Sequence, residues 1–298
     1  MKQLYGTGVA LVTPFREDLS VDVQALRAIV DHCIEGGVDY LVVLGTTGEP
    51  VTLSEKEKQL VTQTVLEQNA GRLPLVIGMG GNNTMQLVDA FSQSGLEQFD
   101  AILSVSPYYN KPTQEGIYRH YKILSEAAPI PLIAYNVPGR TGSNVLPETV
   151  LRLANDCMNL VGIKEASGDM GQVESILKDK PDDFMVISGD DFTALPTVLA
   201  GGVGVISVLG QGIPAEFCRM IRLGGGGQEA EAMKLQKALL PGMDLIFKEG
   251  NPAGIKAVLE NQGLCTRQVR LPLVEASPEL KSRIGTFIKS LSEVHARS

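Results

Sequence analysis

Residues 192–215 read FTALPTVLAGGVGVISVLGQGIPA, 24 residues without one charged side chain. A membrane-spanning helix needs about 20 apolar residues, so this stretch separates a membrane protein from a globular one. Pro196, Pro214 and the pair Gly201-Gly202 interrupt it and leave a helix-like half followed by a strand-like half. A buried helix, a turn and a strand covered on both faces account for that pattern. The expectation is a soluble chain with no membrane partner.

Strand-like runs of the same kind recur along the chain. They are Val9–Thr13, Tyr40–Leu44, Pro74–Ile77, Asp100–Val105, Pro131–Tyr135, Leu160–Ile163, Met185–Ser188 and Val203–Val208. Their spacing is about 28 residues, the size of one βα repeat. Little apolar/polar alternation appears within them, as expected of parallel strands buried on both faces. Helical signals fill the gaps. Val23, Leu26, Val30, Cys33 and Ile34 form one apolar stripe. Ser54 and Glu57 make a capping box, and Pro147 suits a helical first turn, where its missing N–H costs nothing. Eight such units without a linker favour a closed (β/α)8 TIM barrel, with an open doubly wound sheet as the alternative. After Gly224–Gly227 the strand signal stops, and 229–247, 252–262 and 279–294 read as three further helices. The expected organisation is a catalytic barrel over 1–225 and a helical extension over 226–298.

Composition narrows the function. Apolar residues are 44% and charged residues 20% of the chain, which is ordinary for a folded domain. A net charge of −8 with no basic stripe argues against nucleic acid as a partner. The four cysteines lie far apart and only three histidines occur, so no metal site is expected. The thiols read as reduced, and the expected location is the cytoplasm. Neither a P-loop nor a G-x-G-x-x-G run is present.

In a barrel the reactive side chains stand at the carboxyl ends of the strands. Lys164 ends an apolar run there, and desolvation would free its neutral amine for Schiff-base chemistry. The alternative is a salt bridge with Glu165 or Asp169. Tyr135 ends the preceding run and can relay protons, or can be a core tyrosine with a satisfied hydroxyl. Gly45-Thr46-Thr47-Gly48 offers N–H groups and two hydroxyls for a carboxylate, or is a simple glycine turn. Arg140 can clamp a second carboxylate, or be a solvated arginine.

Taken together, GTTGE at 45–49, SPYYNKPTQEG at 106–116, YNVPGRTG at 135–142, GIKEASGD at 162–169 and SGDD at 188–191 resemble the dihydrodipicolinate synthase family. These are class I pyruvate-dependent aldolases. The resemblance runs from about Gly6 to Leu291, in the family's order. It implies a TIM barrel with a C-terminal helical extension and a condensation of pyruvate with L-aspartate 4-semialdehyde, without cofactor or metal. Lys164 would be the Schiff-base lysine. Tyr135 and Thr47 would form a proton relay with Tyr109 of a neighbouring subunit in a homotetramer, a dimer of dimers. Thr46 and Thr47 would hold the pyruvate carboxylate and Arg140 the aldehyde's carboxylate. Gly189 and Ile206 would line the pocket through main-chain groups.

Sugar-acid aldolases of the same superfamily lack this arginine as a rule, so NVPGRTG favours a carboxylate-bearing second substrate. The expectation is a buried clamp that discriminates strongly. The rivals are such a sugar-acid aldolase and a silent keto-acid-binding paralogue. One departure stands out. Where lysine-inhibited members carry histidines and an acidic residue, this chain has Glu55, Lys58 and Gln86, although Asn82 and Tyr108 are kept. A cation at Lys58 would oppose the ammonium of L-lysine, so feedback is expected to be weak or absent.

Overall fold

Eight parallel strands close on themselves in chain order, with the first pairing the last through Gly6 opposite Gly204. The computed structural model describes residues 4–92 and 95–295. Along it run β1 (Gly6–Ala10), α1 (Val23–Glu35), β2 (Tyr40–Val43), α2 (Glu55–Asn69), β3 (Leu75–Gly78), α3 (Thr84–Phe91), β4 (Ala101–Val105) and α4 (Gln114–Ala127). There follow β5 (Leu132–Asn136), the one-turn α5 (Pro138–Thr141), α6 (Pro147–Asp156), β6 (Leu160–Glu165), α7 (Met170–Asp179), β7 (Met185–Ser188), α8 (Ala194–Leu199), β8 (Gly204–Ser207) and α9 (Pro214–Gly225). The extension is α10 (Glu229–Lys248), α11 (Ala253–Asn261) and α12 (Pro278–His295).

The uncharged stretch 192–215 holds α8, β8, a 3₁₀ turn and the start of α9. Among the described residues no helix is long and apolar enough to cross a membrane. Local signals translate directly into geometry. Leu26, Ile29, Val30 and Cys33 of α1 are buried as one stripe. Ser54 and Glu57 close the capping box on α2, with Glu57 Oε2 accepting from Ser54 N at 2.8 Å. Pro147 opens α6.

The first strand lies earlier than its apolar run suggests. Leu11 N still donates to Val42 O, but Val12 N donates to the Gln211 side chain and the ladder ends. At the other end, Gly6–Gly8 carries no apolar signal because Tyr40 fills the barrel interior. A Cβ on Gly8 would lie 2.2 Å from that ring. Sterics inside the barrel, invisible to hydrophobic periodicity, set this boundary.

Two apolar layers result. Tyr40, Val42, Val76, Leu103, Ile133, Met185, Ile187 and Ile206 pack inside the barrel. A larger layer lies between strands and helices, and it is continuous with Leu239, Met243, Ile255, Val258, Leu280 and Ile284 of the extension. Each such fully buried side chain contributes about 1.5–3 kcal/mol of transfer free energy. The extension therefore rests on the barrel through the same core, and α11 ends up against the loop that follows β2, where Lys256 meets Glu49.

Candidate active site

The mouth of the barrel is organised by a slip in the sheet. Leu132 pairs with Leu160, yet Ile133 pairs with Gly162, so Val161 is an extra residue in β6. Such a bulge re-aims the side chains that follow it. Without it Lys164 would stand opposite Asn136; with it Lys164 stands opposite Tyr135. Its amine sits 4.3 Å from the centre of the Tyr135 ring.

Strand alternation then separates Lys164 from its neighbour. Glu165 is buried on the outer face, where it accepts from Asn136, from Gln172 Nε2 at 2.8 Å and from Ser167 N at 2.7 Å. Asp169 caps α7 instead, accepting from Gly171 N at 2.9 Å. Among the described residues no carboxylate lies within salt-bridge distance of Lys164, so the ion-pair alternative does not hold for either acid. Burial pulls the Lys164 amine down to about 8, with the Arg140 charge acting in the same direction and Asp191 and Asp190 opposing. Room for the side chain comes from Gly189, where an added Cβ would lie 2.9 Å from Lys164 Cε.

Tyr135 is almost fully enclosed. Burial raises its phenol above the ordinary value, partly offset by the Arg140 charge and by a hydrogen bond with the Thr46 side chain. The two threonines thus divide. Thr46 is exposed at the mouth and meets Tyr135, whereas Thr47 is buried and its Oγ1 accepts from Asn251 Nδ2 at 2.9 Å. Both lie in a 3₁₀ turn, Thr46–Gly48, bracketed by Leu44 and Glu49 in left-handed conformations with φ of 56° and 53°. The first N–H groups of such a turn have no partner within it and are free for an anion.

Arg140 lies in α5 and is exposed rather than buried, although its charge is felt by both Lys164 and Tyr135. The single turn Pro138–Thr141 packs too little apolar surface to enclose it. Ile206 is buried inside the barrel on β8, paired with Gly8, and Gly189 N donates to Glu165 O. Tyr109 lies in the loop between β4 and α4. It is 88% exposed, with φ of 72°.

Three further residues are not among the site candidates read from the sequence, although Asp191 ends the SGDD run. Asp191 is fully buried beside the site, its carboxyl pushed up to about 6 by burial, and it accepts from Ser207 Oγ at 2.6 Å and Leu209 N at 2.8 Å. Asn251 and Lys256 arrive from the extension. A lysine in the otherwise apolar run PAGIKAVL was the one visible hint.

Comparison with known proteins agrees with this arrangement. The sequence profile of the dihydrodipicolinate synthetase family matches residues 3–291. A 4-hydroxy-tetrahydrodipicolinate synthase of Flavobacterium psychrophilum is 57% identical over 98% of this chain and 100% of its own length. The crystal structure of dihydrodipicolinate synthase from Thermotoga maritima superposes with a TM-score of 0.94 at 38% identity, covering 97% of this chain and 98% of that one. The enzyme of Cyanidioschyzon merolae, solved with lysine bound, gives a TM-score of 0.92 at 35% identity over 97% of this chain and 99% of that one.

Proposed function

The chain belongs to the dihydrodipicolinate synthetase family, and we propose that it runs the condensation of pyruvate with L-aspartate 4-semialdehyde on a Schiff base at Lys164. The product is 4-hydroxy-tetrahydrodipicolinate, and the step is the first committed one of the diaminopimelate route to lysine. The observation that carries the site assignment is a buried amine, drawn down to about 8, facing the Tyr135 ring at 4.3 Å.

The Lys164 amine attacks the pyruvate carbonyl, and loss of water leaves an iminium. A methyl proton departs to give the enamine, whose carbon forms the new bond to the aldehyde. The aldehyde substrate's own amine then displaces Lys164 and closes the ring. The stages move protons at the Lys164 nitrogen, at a carbonyl oxygen and at the pyruvate methyl carbon, and Tyr135 is the phenol within reach. We assign the relay hydroxyl to Thr46, which meets Tyr135, in place of Thr47, which Asn251 holds. Thr47 stays with the carboxylate turn. Arg140, exposed at the mouth, receives the carboxylate of the aldehyde while its charge helps keep Lys164 neutral. Gly189 and Ile206 line the pocket.

Tyr109 completes the relay from a second copy in a homotetramer; its outward position supports that reading. A cytoplasmic setting accords with Cys33, Cys157 and Cys218 as free buried thiols. Inhibition by L-lysine is expected to be weak or absent, because the Lys58 cation, 2.7 Å from Glu55, would oppose the effector's ammonium.

The test is to add borohydride to the protein with pyruvate and weigh the intact chain and its peptides. A pyruvyl adduct on Lys164 is expected. A folded protein that gains no adduct overturns the assignment and favours a silent binding role.

A further inference from the structure

Among the described residues the deepest ion pair joins the extension to the site. Lys256 of α11 and Glu49 of the loop after β2 have side chains 0% and 1% exposed, with Nζ 2.6 Å from Oε1. Lys256 also donates to Gln268 O at 2.7 Å and lies 4.3 Å from the centre of the Phe15 ring. The second oxygen of Glu49 accepts from Arg270 N at 3.0 Å. A buried pair is weak evidence of stability, since desolvation offsets its attraction, so its placement calls for another account.

Glu49 ends the turn that carries both threonines. Its N–H donates to Thr46 O at 3.2 Å, and its own backbone is left-handed with φ of 53°. A side-chain-bearing residue keeps that conformation only where its surroundings over-determine it. The surroundings are Lys256 and the segment after α11. A second fixture runs in parallel, from Asn251 Nδ2 to Thr47 Oγ1 at 2.9 Å. A third runs from Thr13 Oγ1 to Gly48 O at 2.7 Å. Two of the three come from the extension.

We infer that Lys256 and Glu49 are positioning residues for the reaction, locking the Thr46–Gly48 turn so that its hydroxyls and N–H groups meet pyruvate beside Tyr135. This rests on the reading of that turn as the pyruvate carboxylate's cradle. Neither side chain touches substrate. The pair acts through the turn, and misplacing such a group by about 1 Å can cost as much as a hundredfold in rate.

Removing one partner leaves a bare buried charge and can unfold the chain, so the main variant is the double one, Glu49→Gln with Lys256→Met. It is expected to melt cooperatively, to raise KM for pyruvate about tenfold and to leave KM for the aldehyde within about twofold. Asn251→Ala, which buries no charge, should raise KM for pyruvate by a smaller factor in the same direction. Phe287→Ala loosens α12 away from the turn and should leave KM for pyruvate unchanged, so a general weakening of the extension is distinguished. A folded double variant, or a folded Asn251→Ala, with unaltered KM for pyruvate overturns the inference, as does an equal rise in Phe287→Ala. Borohydride trapping on the unsubstituted protein separates the two readings. If pyruvate is not trapped there, the Schiff-base assignment falls and this inference with it; trapping with an unaltered double variant removes this inference alone.

Discussion

A lysine amine is useful as a nucleophile in proportion to the fraction left neutral. With Lys164 drawn down to about 8, roughly one molecule in ten carries the neutral amine at pH 7, against a few in ten thousand for an ordinary lysine. kcat/KM for pyruvate is therefore expected to climb about tenfold per pH unit below 8 and to level off above it. Asp191 opposes the shift, because a negative neighbour favours the ammonium. Asp191→Asn removes that charge and should move the inflection to lower pH, an effect confined to pH above about 6, where Asp191 is ionised. A pH–rate profile of both forms checks it, and an inflection that stays put contradicts the assignment. At this scale the sequence is a good guide to type and a poor one to direction. Lys164 and Tyr135 could be picked out as ends of apolar runs. That they face each other depends on the one-residue slip at Val161, which no periodicity reveals. Thr46 and Thr47 are chemically identical in the sequence, and only the turn decides which hydroxyl meets the phenol.

At the scale of elements, α2 is fastened at its start by its own cap and by the segment after α11. Arg270 pairs with Glu57, donates to Thr52 O at 2.7 Å and stacks 4.4 Å from the centre of the Phe15 ring. The guanidinium holds the Glu57 carboxyl down at about 2, below the usual 4.5. A depressed acid stabilises the fold fully above its unfolded value and loses that contribution as pH falls through the folded one. Glu57→Gln is thus expected to cost about 1 kcal/mol at pH 7. The gap in urea midpoints should close as pH is lowered from 4.5 towards 2; a gap independent of pH would rule out the charge as its origin. The same helix carries the Glu55–Lys58 pair, one turn long and exposed. Millimolar L-lysine should suppress turnover weakly or not at all, and clear inhibition would refute the expectation drawn from Lys58. The helices and most strands were readable from capping and apolar runs, since both are local. The fastening by Arg270 and Lys256 was not, because it joins residues about 210 positions apart in the chain.

For the whole molecule, eight repeats of a βα unit made a parallel sheet legible, but closure is a matter of register between the first and last strands. That ladder begins with Gly6 opposite Gly204, two residues without side chains, and nothing in the apolar runs of β1 and β8 says that they pair with each other. On the proposed reading the site takes one further group, Tyr109, from a second copy. Tyr109 stands 88% exposed on a left-handed backbone. If a second copy supplies it, each site is built from Lys164 of one chain and Tyr109 of the other across a two-fold interface. Lys164→Ala and Tyr109→Phe are then each expected to be nearly inactive, for different reasons. Mixed after dissociation and allowed to reassociate, half of the dimers should be hybrids. In a hybrid, the Tyr109→Phe chain keeps its lysine and borrows a tyrosine from its partner, so one of its two sites is whole. Recovered turnover should approach about a quarter of the unsubstituted value. Hybrids that form, by native mass spectrometry, yet recover nothing would place the relay within a single chain and leave Tyr109 a surface residue.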